Sequence, residues 1–373
     1  MMFDAAKMDA DNTNFVEAPH SSPPVVMSQG GPVLAAPKIV PIFFTGDDTM
    51  RVQVESFLGQ LVGSTYWTAI ASEYGVGALT LAPSIVVTDA APTTDDLLQT
   101  YLQAHVGVGN WPANDGHTIY TVFLPTGNFS SAFGTACVNY GGFHEEINGI
   151  VYALLPRCTS ATLTQLDYVT FATSHELLEA ATDPFPYSNP AYNYTDDDDA
   201  IWQLTPGGEL GDMCEYGDGV RQRLIGNFMV QRQWSNQSAA AGHDPCVPAL
   251  ATPYVNASTH LPSISVDFGG GPVMTRAVQV PLGMTKMVDI DMYSDAPAPD
   301  WQVEVYDVAS KYRGTSPELA LTLDHASGHN GDKLHLSIQR LTAGSQVGGT
   351  SEVEVVSKVG GVVIGTWWAL VTP

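Results

Sequence analysis

Basic side chains are scarce in this sequence: 14 lysines and arginines stand against 39 aspartates and glutamates in 373 residues, a formal net charge of −25 with neutral histidines. A surface of that sign repels nucleic-acid backbones and anionic membranes, so neither is expected as a partner. Long apolar runs are missing too. None approaches the roughly 18 residues that span a bilayer, so no membrane insertion is expected. The opening MMFDAAKMDADNTNF lacks the basic-then-apolar pattern of a secretory signal. Cysteine is limited to Cys137, Cys158, Cys214 and Cys246, with no C-x-x-C pair, which argues against a thiolate zinc site. Three pairings are open to four cysteines. Proximity favours Cys137 with Cys158 and Cys214 with Cys246, and disulfides imply a secreted, extracellular life.

What is present is a chain able to fold. Hydrophobic residues make up 44% and charged residues 14%, enough for a sizeable core and against global disorder. Residues 1–36 are polar and rich in Pro and Gly, and read as a flexible arm or the remnant of a pro-segment. Residues 37–250 mix helical and strand signals. KIVPIFF, HTIYTVFLP and GIVYALLP are short, apolar and β-rich, as central strands are. TMRVQVESFLGQLVGSTYWTAIASEYG and TTDDLLQTYLQAHV have helical spacing, the second with a Thr cap and acids in its first turn. A further helix is expected from about Thr162 to Thr182. From residue 251 to 373 helical periodicity gives way to β runs such as KMVDIDMY, WQVEVYDV and KLHLSIQRL, with turn residues about every ten positions. That is the pattern of a β-sandwich. The expected architecture is an α/β (α+β) domain followed by an all-β sandwich.

The chemistry concentrates in SHELLEAATDP, Ser174–Pro184. On a helix His175 and Glu179 lie one turn apart and point the same way. The helix is apolar on most sides, so His175, Glu176 and Glu179 are expected to be buried, and a buried charge left alone costs several kcal/mol. A divalent cation between His175 and Glu179 supplies the compensation. Glu176 then stands where a general base acts on water. Pro184 ends the helix at Asp183. Two turns span about 11 Å, so a bend at Thr182 is needed if Asp183 is to be the third ligand. Glu209 and Asp212, in the turn-rich GELGD, are its rivals. They are also candidates for an all-oxygen calcium site with Asp183 or Asp196–Asp199.

SHELLEAATDP, then GELGDMCEYGDG, then FMVQRQWSNQSAA with Cys246 downstream, form an ordered set that resembles the Exordium-like (phosphate-induced) proteins and their bacterial relatives. GGPVLAAPKIVPIFF and YGGFHEEING are similar to that family's opening strand and Gly-Phe-His loop. The resemblance covers residues 30–250 and leaves 251–373 outside. It implies a zincin-like domain, the motif helix packed under a twisted sheet, with His175, Glu176, Glu179 and Asp183 as site residues. The match also makes His144 a candidate to stabilise an oxyanion or bind substrate. Glu179 stands where H-E-x-x-H has a second histidine. A carboxylate binds zinc but leaves it a poorer Lewis acid. The expected function is a secreted zinc-dependent peptidase: water activated by the ion attacks a peptide carbonyl, with Glu176 as general base. The alternative is a non-catalytic extracellular or surface protein that holds a structural metal and binds glycan or protein through the sandwich.

Overall fold

A computed structural model of the chain describes residues 15–217 and 219–373. The first 14 residues of the expected arm lie outside the described residues. The three apolar runs form parallel neighbours, Lys38–Phe44, Thr118–Phe123 and Ile150–Leu155. Phe143–Ile147 closes one edge antiparallel. Thr80–Leu81 and Ile85–Val87 pair with the other edge in two pieces. Pro41, which has no N–H to donate, falls beside the gap between those pieces.

Both faces of this sheet are covered, which is why its strands are continuously apolar rather than alternating. Ile39, Phe43, Ile119, Phe123, Val151 and Leu155 face one core, shared with the helices Asp48–Leu61, Thr65–Ala71 and Gln165–Thr182. Val40, Ile42, Tyr120, Val122 and Leu154 face a second core with Leu98 and Leu102 of the helix Asp95–His105. The long helical stretch after residue 48 is two helices, not one. Gly63 takes φ 73°, and Ser64 then caps the second helix by accepting from the Trp67 N–H at 3.2 Å.

The motif helix starts where Thr164 accepts from the Asp167 N–H at 3.1 Å. Asp183, at φ −143°, leaves helical geometry just before Pro184. From Val169 to Pro184 every residue is buried except His175, which is partly exposed toward a cleft. Phe143–Ile147 joins Ile150–Leu155 through Asn148 and Gly149, both at positive φ (51° and 75°), the geometry of a tight hairpin turn. That hairpin carries His144 at the edge of the sheet nearest the motif helix.

Residues 255–372 hold two further sheets. One is antiparallel, in the order Val255–His260, Thr285–Ser294, Lys333–Arg340, Leu319–Leu323. The other centres on the long hairpin Ser351–Val359 with Val362–Thr372. Val255, Ile290, Leu334 and Ile338 from the first meet Val303, Val355 and Trp367 from the second in one core. A short helix, Val308–Tyr312, interrupts the strands, capped by Asp307 on the Ser310 N–H at 2.9 Å.

The two regions are not separated by a wet gap. Trp202 lies 5.6 Å from Trp234 and 5.9 Å from Trp367, ring centre to ring centre. Residues 15–36 run as an extended strap over both. Val26 pairs with Thr195 and exchanges two hydrogen bonds with the Asn236 side chain, while His20 stacks on Tyr293. Cys137 is bonded to Cys158 and Cys214 to Cys246, the pairing that proximity favoured. No described helix is long and apolar enough to cross a membrane.

Candidate metal centre

Three segments meet at one cleft: the exposed side of the motif helix, the start of the hairpin strand at His144, and the turn Glu209–Cys214. The turn is fixed from beneath. Gln231 donates to the Gly211 carbonyl at 2.6 Å, and its own N–H is held by Ser174 on the motif helix at 3.0 Å. The disulfide at Cys214 anchors the turn's far end.

Glu179 is the hub. Its Oε1 accepts from the backbone N–H groups of Gly211 and Asp212 at 2.9 and 3.1 Å. That leaves Oε2 turned toward His175 Nε2 at 2.9 Å and His144 Nδ1 at 3.8 Å. Asp212 Oδ1 lies 3.5 Å from His175 Nε2. A side chain at position 211 has no room: its Cβ would fall 2.6 Å from His175 Nδ1 and 2.7 Å from Glu179 Oε1. A glycine is required for the turn to approach this closely.

His144 stands on the other side. Its Nδ1 is 3.7 Å from Glu176 Oε2, and its Nε2 is 3.1 Å from the Asp183 carbonyl and 3.7 Å from Glu209 Oε1. Two three-residue groups therefore share Glu179: His175, Glu179 and Asp212, and His144, Glu176 and Glu179. Each offers ligand atoms within 4.8 Å of one another. Two atoms bound to one zinc at about 2.0–2.1 Å with tetrahedral angles are about 3.3 Å apart. The 2.9 and 3.5 Å separations of the first group bracket that value. Imidazole nitrogen with carboxylate oxygen suits a borderline divalent ion.

The electrostatics are those of an acid-rich pocket. Burial opposes charge on both histidines. It is outweighed at His175 chiefly by Glu179, which raises the ring well above its usual range, and at His144 by Glu209, Glu176 and Glu179, which push it up to about 10. Burial also raises the carboxyls of Glu176, Glu209 and Asp212, that of Glu209 to about 8. Glu179 goes the other way: His175, His144 and the Asp212 N–H overcome its burial and hold it below the usual range. Among the described residues no lysine or arginine forms an ion pair with any of these four carboxylates, their recorded ion-pair partners being His144 and His175.

Of the residues expected at the site, His144, His175, Glu176, Glu179, Glu209 and Asp212 converge. Asp183 does not join either group. Its Oδ1 accepts from the Ala191 N–H at 2.5 Å, and only its carbonyl faces His144. The run at Asp196–Asp199 is occupied elsewhere: Asp196 caps a short turn, and Asp199 pairs with Arg276. Among the described residues no all-oxygen group of Asp183, Glu209, Asp212 and these aspartates is gathered. Trp202 and Trp234 are core.

The cleft itself, about 500 Å³, is walled by Phe133, Tyr140, Phe143 and Tyr187, with Asn139 and Asn193 on its rim. None of these was expected as a site residue from the sequence. Glycine marks the floor again, since a Cβ on Gly142 would fall 2.7 Å from Glu176 Oε1. The doubled glycine before Phe143 was the legible sign of that approach.

No family model matches the chain, and no curated protein matches it. Among solved structures it is similar to a chimeric titin Z1Z2 functionalized with a KLER exogenous peptide from decorin. The two are 14% identical, with a TM-score of 0.17, over 32% of this chain and 96% of that one. A likeness of that grade carries no argument about fold or function.

Proposed function

We propose that the cleft is the active site of a secreted, zinc-dependent peptidase with a zincin-like arrangement of motif helix and sheet. The observation that carries the reading is Glu179, whose Oε1 is tied by two backbone N–H groups while Oε2 is left to His175 and Asp212 closes the set. His175, Glu179 and Asp212 are the residues that would hold the ion, and an imidazole among the ligands favours zinc over calcium. When bound, the ion supplies a Lewis acid that polarises a carbonyl and acidifies water.

The remaining steps belong to the chain. Glu176 follows the first ligand and lies beside the cleft, its carboxyl raised by burial. It removes a proton from the attacking water and delivers it to the leaving amine. His144, held on its Nε2 side by the Asp183 carbonyl, keeps Nδ1 toward Glu176 and so orients it. Phe133, Tyr140 and Tyr187 offer apolar surface to a substrate side chain next to the scissile bond. Two disulfides suit an oxidising compartment.

The test pairs elemental analysis of chelator-free protein with hydrolysis of a mixed peptide library. Zinc near one equivalent or above, and hydrolysis lost in Glu176→Gln with the zinc retained, support the reading. Calcium alone, no metal, or full activity in Glu176→Gln would overturn it.

A further inference from the structure

The basic side chains left over by the ion pairs lead to a second pocket. Among the described residues only Arg221, Lys286, Lys311 and Arg340 have no carboxylate within ion-pair distance. Arg340 gives its guanidinium to the carbonyls of Val280, Thr342 and Gly349, and Lys286 lies at a different groove. Arg221 and Lys311 line one pocket of about 360 Å³ between the first region and the β region. Arg221 sits over the Phe171 ring, 4.7 Å from its centre, and Lys311 over the Tyr306 ring at 3.9 Å. Aromatic faces thus fix both cations and leave their donors free. The Arg221 Nε is enclosed without an acceptor, and its guanidinium makes no hydrogen bond to a described residue. Arg51 and Arg276 share an idle Nε, but their terminal nitrogens hold carboxylates. An enclosed donor without an acceptor is short of a partner.

Acids border the pocket too. Glu304 is taken by Lys358. Glu354 accepts from the Tyr312 hydroxyl, and burial raises its carboxyl. Glu215 lines the pocket without pairing with either cation.

Two elements join this pocket to the metal centre. The turn that carries Asp212 runs on past the Cys214 disulfide into Glu215, Tyr216 and Gly217, which line the pocket. Phe171, beneath Arg221, lies one turn before His175 on the motif helix, about 6 Å along its axis. Burial raises the Tyr168 hydroxyl, and the charges that then bear on it are Glu215, Arg221, His175 and Glu176. An occupant that reaches both places is the substrate chain itself. Extended peptide covers about 3.3 Å per residue, which sets the pocket about three to five residues from the scissile bond.

We propose that Arg221 and Lys311 form a subsite for an acidic side chain of the peptide substrate, about three to five residues from the bond that is cut. The cleavage preference rests on the peptidase reading; the binding of the carboxylate does not. Guanidinium and ammonium donors on two sides of one pocket suit a carboxylate. In a chain of net charge −25 the general field repels acids, so a preference for them has to be local.

The experiment uses labelled decapeptides of Ala and Ser with a central Phe, carrying one Glu or one Gln at each position in turn. Their binding to zinc-loaded Glu176→Gln protein is read by fluorescence anisotropy, and their kcat/KM on the unaltered protein by mass spectrometry, which also locates the cut. At the distance given, the Glu peptide should bind and be cleaved about five- to tenfold better than its Gln counterpart, the worth of one or two partly exposed ion pairs. The advantage should shrink as salt is raised. It should disappear in Lys311→Met and in Arg221→Gln, with the Gln peptide unaffected and circular dichroism confirming both folds, and persist in Lys286→Met. Cleavage without a Glu advantage overturns this inference and leaves the peptidase standing. A Glu advantage in binding with no cleavage supports the subsite and overturns the peptidase. An advantage that survives in both folded variants, or a uronate oligosaccharide that binds while the Glu peptides do not, overturns the subsite.

Discussion

Buried acids occur in two kinds of place in this molecule, and they are treated differently. Where the strap, the loops and the β region pack together, four of them have a permanent side-chain partner. Asp244 meets Arg232, Asp199 meets Arg276, Glu352 meets Arg313, and Glu354 accepts from the Tyr312 hydroxyl. At the motif helix four carboxylates gather around two imidazoles without one lysine or arginine in ion-pair contact among the described residues. With so few basic side chains in the chain, their placement is informative. Arginine stands beside three of the first set and makes no ion pair with the second, whose side chains could hold a metal ion instead. The comparison teaches that the charges of the cleft are not arranged for stability.

The largest effect expected is on activity. Glu176→Gln should lower kcat/KM by about 10²- to 10⁴-fold, the usual worth of a general base, while Arg232→Met leaves peptide hydrolysis per folded molecule unchanged. Next come opposite effects on stability in chemical denaturation. Arg232→Met strands Asp244 and should cost about 3–5 kcal/mol. Glu209→Gln in metal-free protein above about pH 8, where that carboxyl is ionised, removes a repelling charge and should stabilise by about 0.5–2 kcal/mol. Equal signs for the two would dissolve the contrast. Zinc should in turn raise the stability of the unaltered protein by about 2.7 kcal/mol at a hundredfold excess over Kd, and the gain should vanish in His175→Phe.

The smallest effect belongs to an exposed pair. Burial would raise Asp115, but Lys38, Thr118 and the His117 N–H outweigh it and hold its carboxyl at about 2. A folded value below the unfolded one means the stabilisation is present above about pH 4 and is lost as pH falls toward 2. Both side chains are partly exposed, so the contribution is under about 1 kcal/mol. Lys38→Met should lower stability by that amount at pH 7 and leave it unaltered near pH 2, so that the acid limb of the stability curve flattens.

Much of the scaffold was readable because its signals are local. An apolar run long enough for one strand announces KIVPIFF, and a Thr followed by acids announces the helix at Asp95. Both cysteine pairs join near neighbours. The centre was readable in part, since His175, Glu176 and Glu179 sit on one helix. The place of Asp212 beside His175 and Glu179 was not, because spacing along a helix says nothing about a turn 33 residues downstream of Glu179. Asp183 looked nearer, yet the Ala191 N–H captures its carboxylate. Composition also misleads at the strap. Pro and Gly suggested a loose arm over residues 1–36, but from residue 15 onward it is held through main-chain groups and the Asn236 and Asn330 amides, which composition does not encode.

Anomalous scattering from a crystal of zinc-loaded protein, collected across the zinc edge, tests the central claim most directly. A peak within about 2.0–2.2 Å of His175 Nε2, Glu179 Oε2 and Asp212 Oδ1 is the predicted result. A cleft without a peak there, with His175 still hydrogen-bonded to Glu179 at 2.9 Å, would contradict it.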